Sequence, residues 1–250
     1  MADIALSSSV RSNLMALQST SGFIGRTQSR LSTGQAVSSP VDDAVKFFQA
    51  KSLSNRASDL LERKDAVDQG INALKTSLTA TEAMEDLVKQ MKGVIDSARS
   101  ADKTQRTAYT TQFEELGKQI EKLVDDASYQ GLNLLNSTAS KLSVRFSDKS
   151  DSKLEVDGVN FKTSAFFKDK DGNTASAASE ATLLSGLGFA GGTGFESYTV
   201  SVASELASFN SHADDAISAL DETISNLRAE AAEIAGNVAI LQVRSNFTQE

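Results

Sequence analysis

Cysteine is absent from all 250 residues, which removes disulfides, thiolate metal sites and cysteine nucleophiles together and leaves stability to packing. Proline occurs once, at Pro40, and histidine once, at His212. A single imidazole without cysteine or a second histidine makes no transition-metal cluster. Basic charge is in deficit, with 25 Lys and Arg against 33 Asp and Glu, a net charge of -8 and a pI near 4.8. Nucleic acid is therefore set aside as the main partner, because phosphate binding relies on clustered cations. Long apolar runs are also missing: nothing approaches the ~18 residues of a membrane span. The start, "MADIALSSSVRSNLMALQS", lacks a basic segment followed by an apolar one. No membrane insertion is expected, and export would use another route. What is present is 40% hydrophobic content, over a length that suits one large domain or two small ones.

Apolar positions alternating at spacings of three and four mark helices that pack along a seam. Four segments carry that pattern. The first runs Val10, Leu14, Leu17, Ser21, Ile24, Gln28, Leu31, with two polar interruptions. The second runs Ala57, Leu60, Lys64, Val67, Ile71, Leu74, Leu78 and resumes out of phase as Met84, Leu87, Met91, Val94, Ala98. That slip predicts a local overwinding or bend. The third is Tyr109, Phe113, Leu116, Ile120, Leu123, Ala127, stopped by "YQGLNLLNS". The fourth is the most regular: Leu206, Phe209, Ala213, Ile217, Leu220, Ile224, Leu227, Ala231, Ile234, Val238, Leu241. A second segment continuous from Pro40 to Ser100 would be roughly 90 Å long. The fold class expected is mainly α, an elongated antiparallel coiled-coil-like bundle with a small insert containing a β-hairpin.

The insert shows in a change of period. In "KLSVRF", Leu142, Val144 and Phe146 alternate with Ser143 and Arg145, which reads as a strand. "KLEVDGVNFK" then offers Asp157-Gly158 between Val156 and Val159, the two-residue chemistry of a hairpin turn. Residues 169 to 195, rich in Gly, Ala, Ser and Thr, read as loop. The resulting division is 1–33, a linker at 34–41, helical 42–139, insert 140–200 and a returning helix 201–250.

The only proline lies in "RLSTGQAVSSPVDDAVKF". Gly34 suits a left-handed helix cap. Ser39, Pro40 and Asp42 read as N-cap, first helical residue and third-position acid of a new helix. This stretch resembles the N-terminal signature of bacterial flagellins, where an Arg-Leu-Ser-x-Gly turn leads through a short spoke to an acidic helix start. "QRTAYTTQFEELGKQIEKLVDDASYQGLNLLN" is similar to a second flagellin stretch, ending in Tyr129, Gln130, Gly131, Leu134 and Leu135. With the returning helix, the resemblance covers nearly the whole chain.

The resemblance implies a structural subunit of the flagellar filament, exported by the flagellar type III apparatus, acting outside the cell and lacking an active site. Its implied partners are other flagellin subunits, the export apparatus, a flagellin chaperone, and the hook-associated and cap proteins; no cofactor is implied. Val10, Leu14, Leu17, Ile24 and Leu31 would serve assembly. Leu60, Val67, Ile71, Leu74, Phe113, Leu116, Ile120, Leu220, Ile224, Leu227 and Ile234 would pack the rod. The first helix, too weakly apolar to offset ordering alone, would fold only among neighbours. Flagellins close with a further helix that "LQVRSNFTQE" does not supply, so this chain is expected to stay largely monomeric with a protease-sensitive first segment. Where Toll-like receptor 5 reads an Arg-rich stretch in many flagellins, this sequence has Lys89, Gln90, Lys92 and Gly93, which lack bidentate arginine chemistry. Weak receptor activation is expected.

Other motifs fail on context. "GLGFAG" satisfies G-x-G-x-x-G, but "GTGFESYTVSV" after it does not begin a helix. Setting Gly172 of "DKDGN" at a calcium-loop turn puts Phe167 and Ala178 at ligand positions. The acid pairs Asp42-Asp43, Asp125-Asp126 and Asp214-Asp215 diverge around their helices and read as solvated faces or caps. Met84 and Met91 read as seam residues. With no nucleophile, base and orienting group, an enzyme is not expected. The runner-up is a hook-filament junction protein, and a rival of another class is a secreted coiled-coil adhesin or ligand-binding protein using the insert.

Overall fold

The computed structural model describes residues 7–147, 151–162, 187, 189, 194–198 and 202–249. The chain divides into two compact units, Met1–Leu61 and Glu62–Glu250. In the first unit α1 spans Ser8–Thr33 and ends on Gly34 at φ 67° and ψ 8°, a left-handed cap that glycine adopts without a Cβ clash. The hydroxyls of Thr20, Thr27 and Thr33 donate to the carbonyls of Ala16, Phe23 and Ser29, so these three threonines are satisfied within the helix.

The next helix begins later than the proline signal predicts. Asp42 N donates to the Ser39 carbonyl at 3.1 Å, and Val41 N donates to Ser39 Oγ at 3.2 Å, so Pro40 sits inside a tight turn. The helix α2, Ala44–Arg99, is capped by Asp43, whose Oδ1 accepts the Lys46 amide at 3.1 Å. Phe47 N closes the first helical bond on the Asp43 carbonyl at 3.0 Å. An ionised carboxylate is the better acceptor for an open helix end, and the linker therefore extends through residue 43 instead of 41.

The second unit is a bundle of α2 from Glu62 onward, α3 (Lys103–Asp126) and α4 (Ala203–Gln249), with two antiparallel strand pairs. The α3 start is closed by a reciprocal cap: Asp102 Oδ1 accepts the Gln105 amide at 2.8 Å, and Gln105 Oε1 accepts the Asp102 amide at 3.1 Å. The predicted slip of the α2 stripe is not a break in packing. Buried positions run Gly70, Leu74, Ser77, Thr81, Met84, Val88, Met91, Ile95, Ala98 at unbroken heptad spacing. Ser77 and Thr81 occupy the seam because their hydroxyls donate to the carbonyls of Ala73 and Ser77, leaving mainly methylene and methyl surface for the interior. Leu78 and Leu87 flank the seam, half-buried.

Where α2 ends, α3 supplies the missing donors. Arg106 is fully buried; its Nε donates to the Ala98 carbonyl at 2.9 Å and its Nη2 to the Arg99 carbonyl at 3.2 Å. Those carbonyls belong to the last turn of α2, where the i+4 amides are missing, and that of Ala98 also accepts the Ala101 amide at 3.4 Å. Nη1 donates to the Tyr198 carbonyl at 2.9 Å, and the guanidinium lies 4.0 Å from the centre of the Phe209 ring. Beside it, Thr110 Oγ1 accepts the Phe195 amide at 2.8 Å and lies 2.9 Å from Glu196 Oε2. These contacts fix the 3₁₀ turn Phe195–Ser197 on α3. Phe113, Phe189, Phe195, Tyr198 and Phe209 close the core there in mutual ring contacts.

The helix stop at "YQGLNLLN" is itself a hairpin. Strands β1 (Ser128–Tyr129) and β2 (Leu132–Asn133) pair across Gln130 and Gly131, at φ 50° and 83°. Two consecutive positive angles make the primed turn that matches strand twist. Asn133 then donates from Nδ2 to the Val124 and Asp125 carbonyls at 2.7 and 3.2 Å, sealing the end of α3. The larger hairpin pairs β3 (Lys141–Arg145) with β4 (Lys153–Asp157). Its connection is residues 146–152, so Asp157-Gly158 is not the hairpin turn. Gly158 instead leaves the sheet, its amide donating to the Ser140 carbonyl at 2.7 Å, and a Cβ there would stand 2.4 Å from the Ser137 carbonyl oxygen. Val144 seats β3 on α2 at Gly70, where a Cβ would come within 2.7 Å of its methyl group. Both the G-x-G-x-x-G match, apart from Leu187 and Phe189, and the calcium-loop match lie outside the described residues.

Replacing Arg106 by Ala removes the side-chain donors to the Ala98, Arg99 and Tyr198 carbonyls and opens a cavity. Urea unfolding followed by circular dichroism should show a loss of about 3 kcal/mol. Arg106→Lys, which keeps the charge without the planar fork, should recover only part of it.

Candidate assembly surface

Residues expected to assemble and residues expected to pack differ in burial, with Leu60 as an exception. No residue of α1 is buried. Val10, Leu14, Leu17, Ile24 and Leu31 are between 47% and 85% exposed, and Met15 and Phe23 of the same helix are more than half exposed. Further along the first unit, Val45, Phe48, Leu53 and Leu61 are open as well. Leu60 belongs with this group: at 43% exposure it is not packed, contrary to the expectation for the rod, because α2 gains its first buried neighbours only from Val67.

Val67, Ile71 and Leu74 on α2, Phe113, Leu116 and Ile120 on α3, and Leu220, Ile224, Leu227 and Ile234 on α4 join one buried apolar cluster. In the linker, Gly34, Pro40 and Asp42 are exposed and Ser39 is half-buried. Ser38 Oγ donates to Asp42 Oδ2 at 3.4 Å. The carboxyl of Asp43 lies below its ordinary range, held there first by the Lys46 amide and then by the Lys46 ammonium.

Charge on the flanks of the α2–α4 seam forms a ladder. Glu85 Oε1 accepts from Arg228 Nη2 at 2.6 Å and Nε at 3.1 Å, Lys92 pairs with Asp221, and Arg99 Nη2 pairs with Asp214 at 2.5 Å. The rungs stand one heptad apart on both helices and run in opposite directions, as an antiparallel pair requires. Ser245 Oγ donating to Asp68 Oδ1 at 3.1 Å continues the same register toward the end of α4. Sequence reading missed the ladder. Its signal was available as charges at heptad spacing on segments two and four, but pairing them requires the register. Of the receptor-region residues, Lys92 is a rung, Lys89 pairs within its own helix with Glu85 and Asp86 at 3.0 and 3.1 Å, and Gln90 is exposed.

Among the described residues no group of three or more His, Cys, Asp or Glu is placed to hold a metal, and no helix is long and apolar enough to cross a membrane. His212 donates from Nδ1 to the Ser208 carbonyl at 2.7 Å beside Tyr198 and Phe189, which accounts for it structurally. An open groove of about 550 Å³ lies between α2 and the end of α3, floored by Ala80, Ala83, Leu123 and Ala127. It brings no catalytic grouping together.

The family described as the bacterial flagellin N-terminal helical region matches residues 4–140. The chain belongs to the bacterial flagellin family. Flagellin FljM of Caulobacter vibrioides is 25% identical over 194 residues, covering 77% of this chain and 62% of that protein. Flagellin of Brucella melitensis is 29% identical over 165 residues, covering 65% and 58%. The chain thus spans about three fifths of the length of these curated relatives. Among solved structures, a protein of Vibrio parahaemolyticus assigned as flagellar hook-associated aligns over 84% of this chain and 94% of its own, at TM-score 0.64 and 14% identity. Bacillus cereus flagellin aligns over 73% and 88%, at TM-score 0.53 and 13% identity. These two similarities establish the mainly helical fold with its small β insert.

In this flagellin-family chain the Glu85 rung has a predictable pH signature. Arg228, and after it Lys89, hold the Glu85 carboxyl below its ordinary value of 4.5. A lowered folded value means that its stabilisation is complete above the unfolded value and is lost as pH falls through the folded one. Glu85→Gln should therefore cost under about 1 kcal/mol at neutral pH and flatten the stability curve below about pH 5, measured by urea unfolding across pH.

Proposed function

We propose that the chain is a structural subunit of the bacterial flagellar filament, working outside the cell and joining other flagellin subunits through helix packing. The observation that carries this reading is the fully unburied apolar stripe of α1 inside a family match over residues 4–140. A helix that buries nothing of its own acquires its apolar contacts from other copies, while the second unit has a buried core of its own and leaves Ile240, Val243 and Phe247 open near the end of α4. Residues 1–33 would form the assembly helix, 34–43 its linker, and 140–200 the outward decoration. Passage through the flagellar export apparatus with a chaperone, and contact with hook-associated and cap proteins, belong to the same proposal. No catalytic role is proposed. Leu17→Asp with Ile24→Asp should abolish filaments on producing cells, seen by electron microscopy, and abolish swimming. Because both positions are exposed, unfolding stability should change by less than about 0.5 kcal/mol. Normal filaments would defeat the reading.

The likeness to the Vibrio parahaemolyticus protein favours one second reading, a hook-filament junction protein. Immunogold labelling separates the two: gold along the whole filament supports the filament subunit, and gold confined to its base supports the junction protein.

Poor activation of Toll-like receptor 5 is part of the proposal. Lys89 and Lys92 are engaged in ion pairs and Gln90 carries no charge, so this stretch offers no arginine fork. A receptor reporter assay should show a response at least about tenfold weaker than that to an Arg-bearing flagellin, the worth of one lost bidentate contact.

A further inference from the structure

The distal half of α4 is apolar on two opposite sides. One side carries Leu227, Ile234, Val238 and Leu241 into the buried cluster of the second unit. At about 100° per residue, Ala229, Ala232, Gly236, Ile240, Val243 and Phe247 fall nearly half a turn away, at the spacings of three and four that mark a packing seam. All six are exposed, with Ile240, Val243 and Phe247 at 48%, 68% and 74%. A helix that is apolar on both sides has use for a partner on both. Gly236 stands in the middle of this second stripe, where glycine weakens a helix relative to alanine and an added Cβ would lie in open space. The fold of one chain makes no demand for that glycine, whereas the close approach of another backbone does.

The order of side-chain sizes along the stripe indicates the partner. Its first half is small, Ala229, Ala232 and Gly236, and its second half is large, Ile240, Val243 and Phe247. We propose that the stripe packs on the same stripe of a second copy of this chain, antiparallel about a two-fold axis near residue 238. Small then faces large throughout: Ala229 meets Phe247 of the other copy, Ala232 meets Val243, and Gly236 meets Ile240. Glu233 and Arg244 border one edge of the stripe, and equivalent edges meet in an antiparallel pair, so unlike charges come side by side. Parallel pairing in register would set Phe247 on Phe247 and leave Gly236 over a gap. Parallel pairing shifted by about eleven residues, three helical turns, also matches small to large, but over only one half of each stripe, whereas the two-fold pair uses both halves along about 27 Å. The contact is separate from the α1 stripe, and a two-fold contact closes where head-to-tail contacts propagate. It therefore limits itself to pairs and stands whether or not the chain builds filaments.

The absence of cysteine makes this geometry directly testable in the full chain. Leu17→Asp with Ile24→Asp serves as the background, so that contacts through α1 are removed and the two surfaces are judged apart. Sedimentation equilibrium should then show monomers in reversible exchange with dimers and no larger species. On mild oxidation Ala239→Cys should give a disulfide-linked dimer, because its two copies lie only about 3 Å apart along a pair centred on residue 238. Ala229→Cys should give none, its two copies being about 27 Å apart along the same pair. Gly236→Arg, whose side chain projects into open space within one chain, should weaken dimerisation at least about tenfold and leave the helical circular dichroism unchanged. A chain that stays monomeric up to about 100 μM would overturn the proposal. Equal disulfide yields at positions 229 and 239 would overturn it too, as would an open series of oligomers, the mark of shifted parallel pairing.

Discussion

A buried guanidinium with only carbonyl oxygens and an aromatic ring around it is the constraint on which the second unit turns. Burial pushes the Arg106 pKa down, but an arginine has so much protonation free energy in reserve that it remains a cation. Its charge is spread over donors that match three carbonyls, two at the end of α2 and one on the segment leading into α4. One side chain thereby satisfies a helix end, sets where α3 starts relative to it, and holds the returning chain where Phe209 can close over the site. A carboxylate partner would have neutralised the charge but left the helix end open.

The seam between α2 and α4 follows from that anchor. Once the ends are held, heptad spacing brings Glu85, Lys92 and Arg99 opposite Arg228, Asp221 and Asp214, while the small residues Ser77, Ala80 and Thr81 are buried further back along α2. The ladder lies on the solvent-exposed flanks, where individual pairs contribute little. Its contribution is to register more than to stability: sliding α4 by one heptad sets Glu85 against Asp221 or Lys92 against Arg228.

The helices, their antiparallel return and the presence of a hairpin were legible because apolar periodicity depends on residue type alone. Legibility ended where polar residues take apolar positions. Ser77 and Thr81 read as a phase slip because their hydroxyls look hydrophilic in sequence and become invisible once bonded to their own helix. The helix start was misplaced for a related reason: Ser39 and Pro40 carry the chemistry of a cap, but Asp43 carries a stronger version four residues later. Asp157-Gly158 has hairpin composition yet serves as the exit from a strand, since the glycine is demanded by the Ser137 and Ser140 carbonyls that crowd it. On the candidate surface, the stripe of α1 was legible residue by residue. Arg106 was not, because nothing in a sequence marks a charged side chain that will be buried among carbonyls.

Asn133 closes α3 before the chain goes on to form its larger hairpin. With the primed turn at Gln130 and Gly131, the helix is finished by residues within one short hairpin of its last turn. Helix termination is therefore thermodynamically insulated from whatever lies downstream. Changes confined to the connection between β3 and β4 leave that helix end intact, whereas the segment that brings Phe195 and Tyr198 onto α3 is tied to the core and has no such freedom.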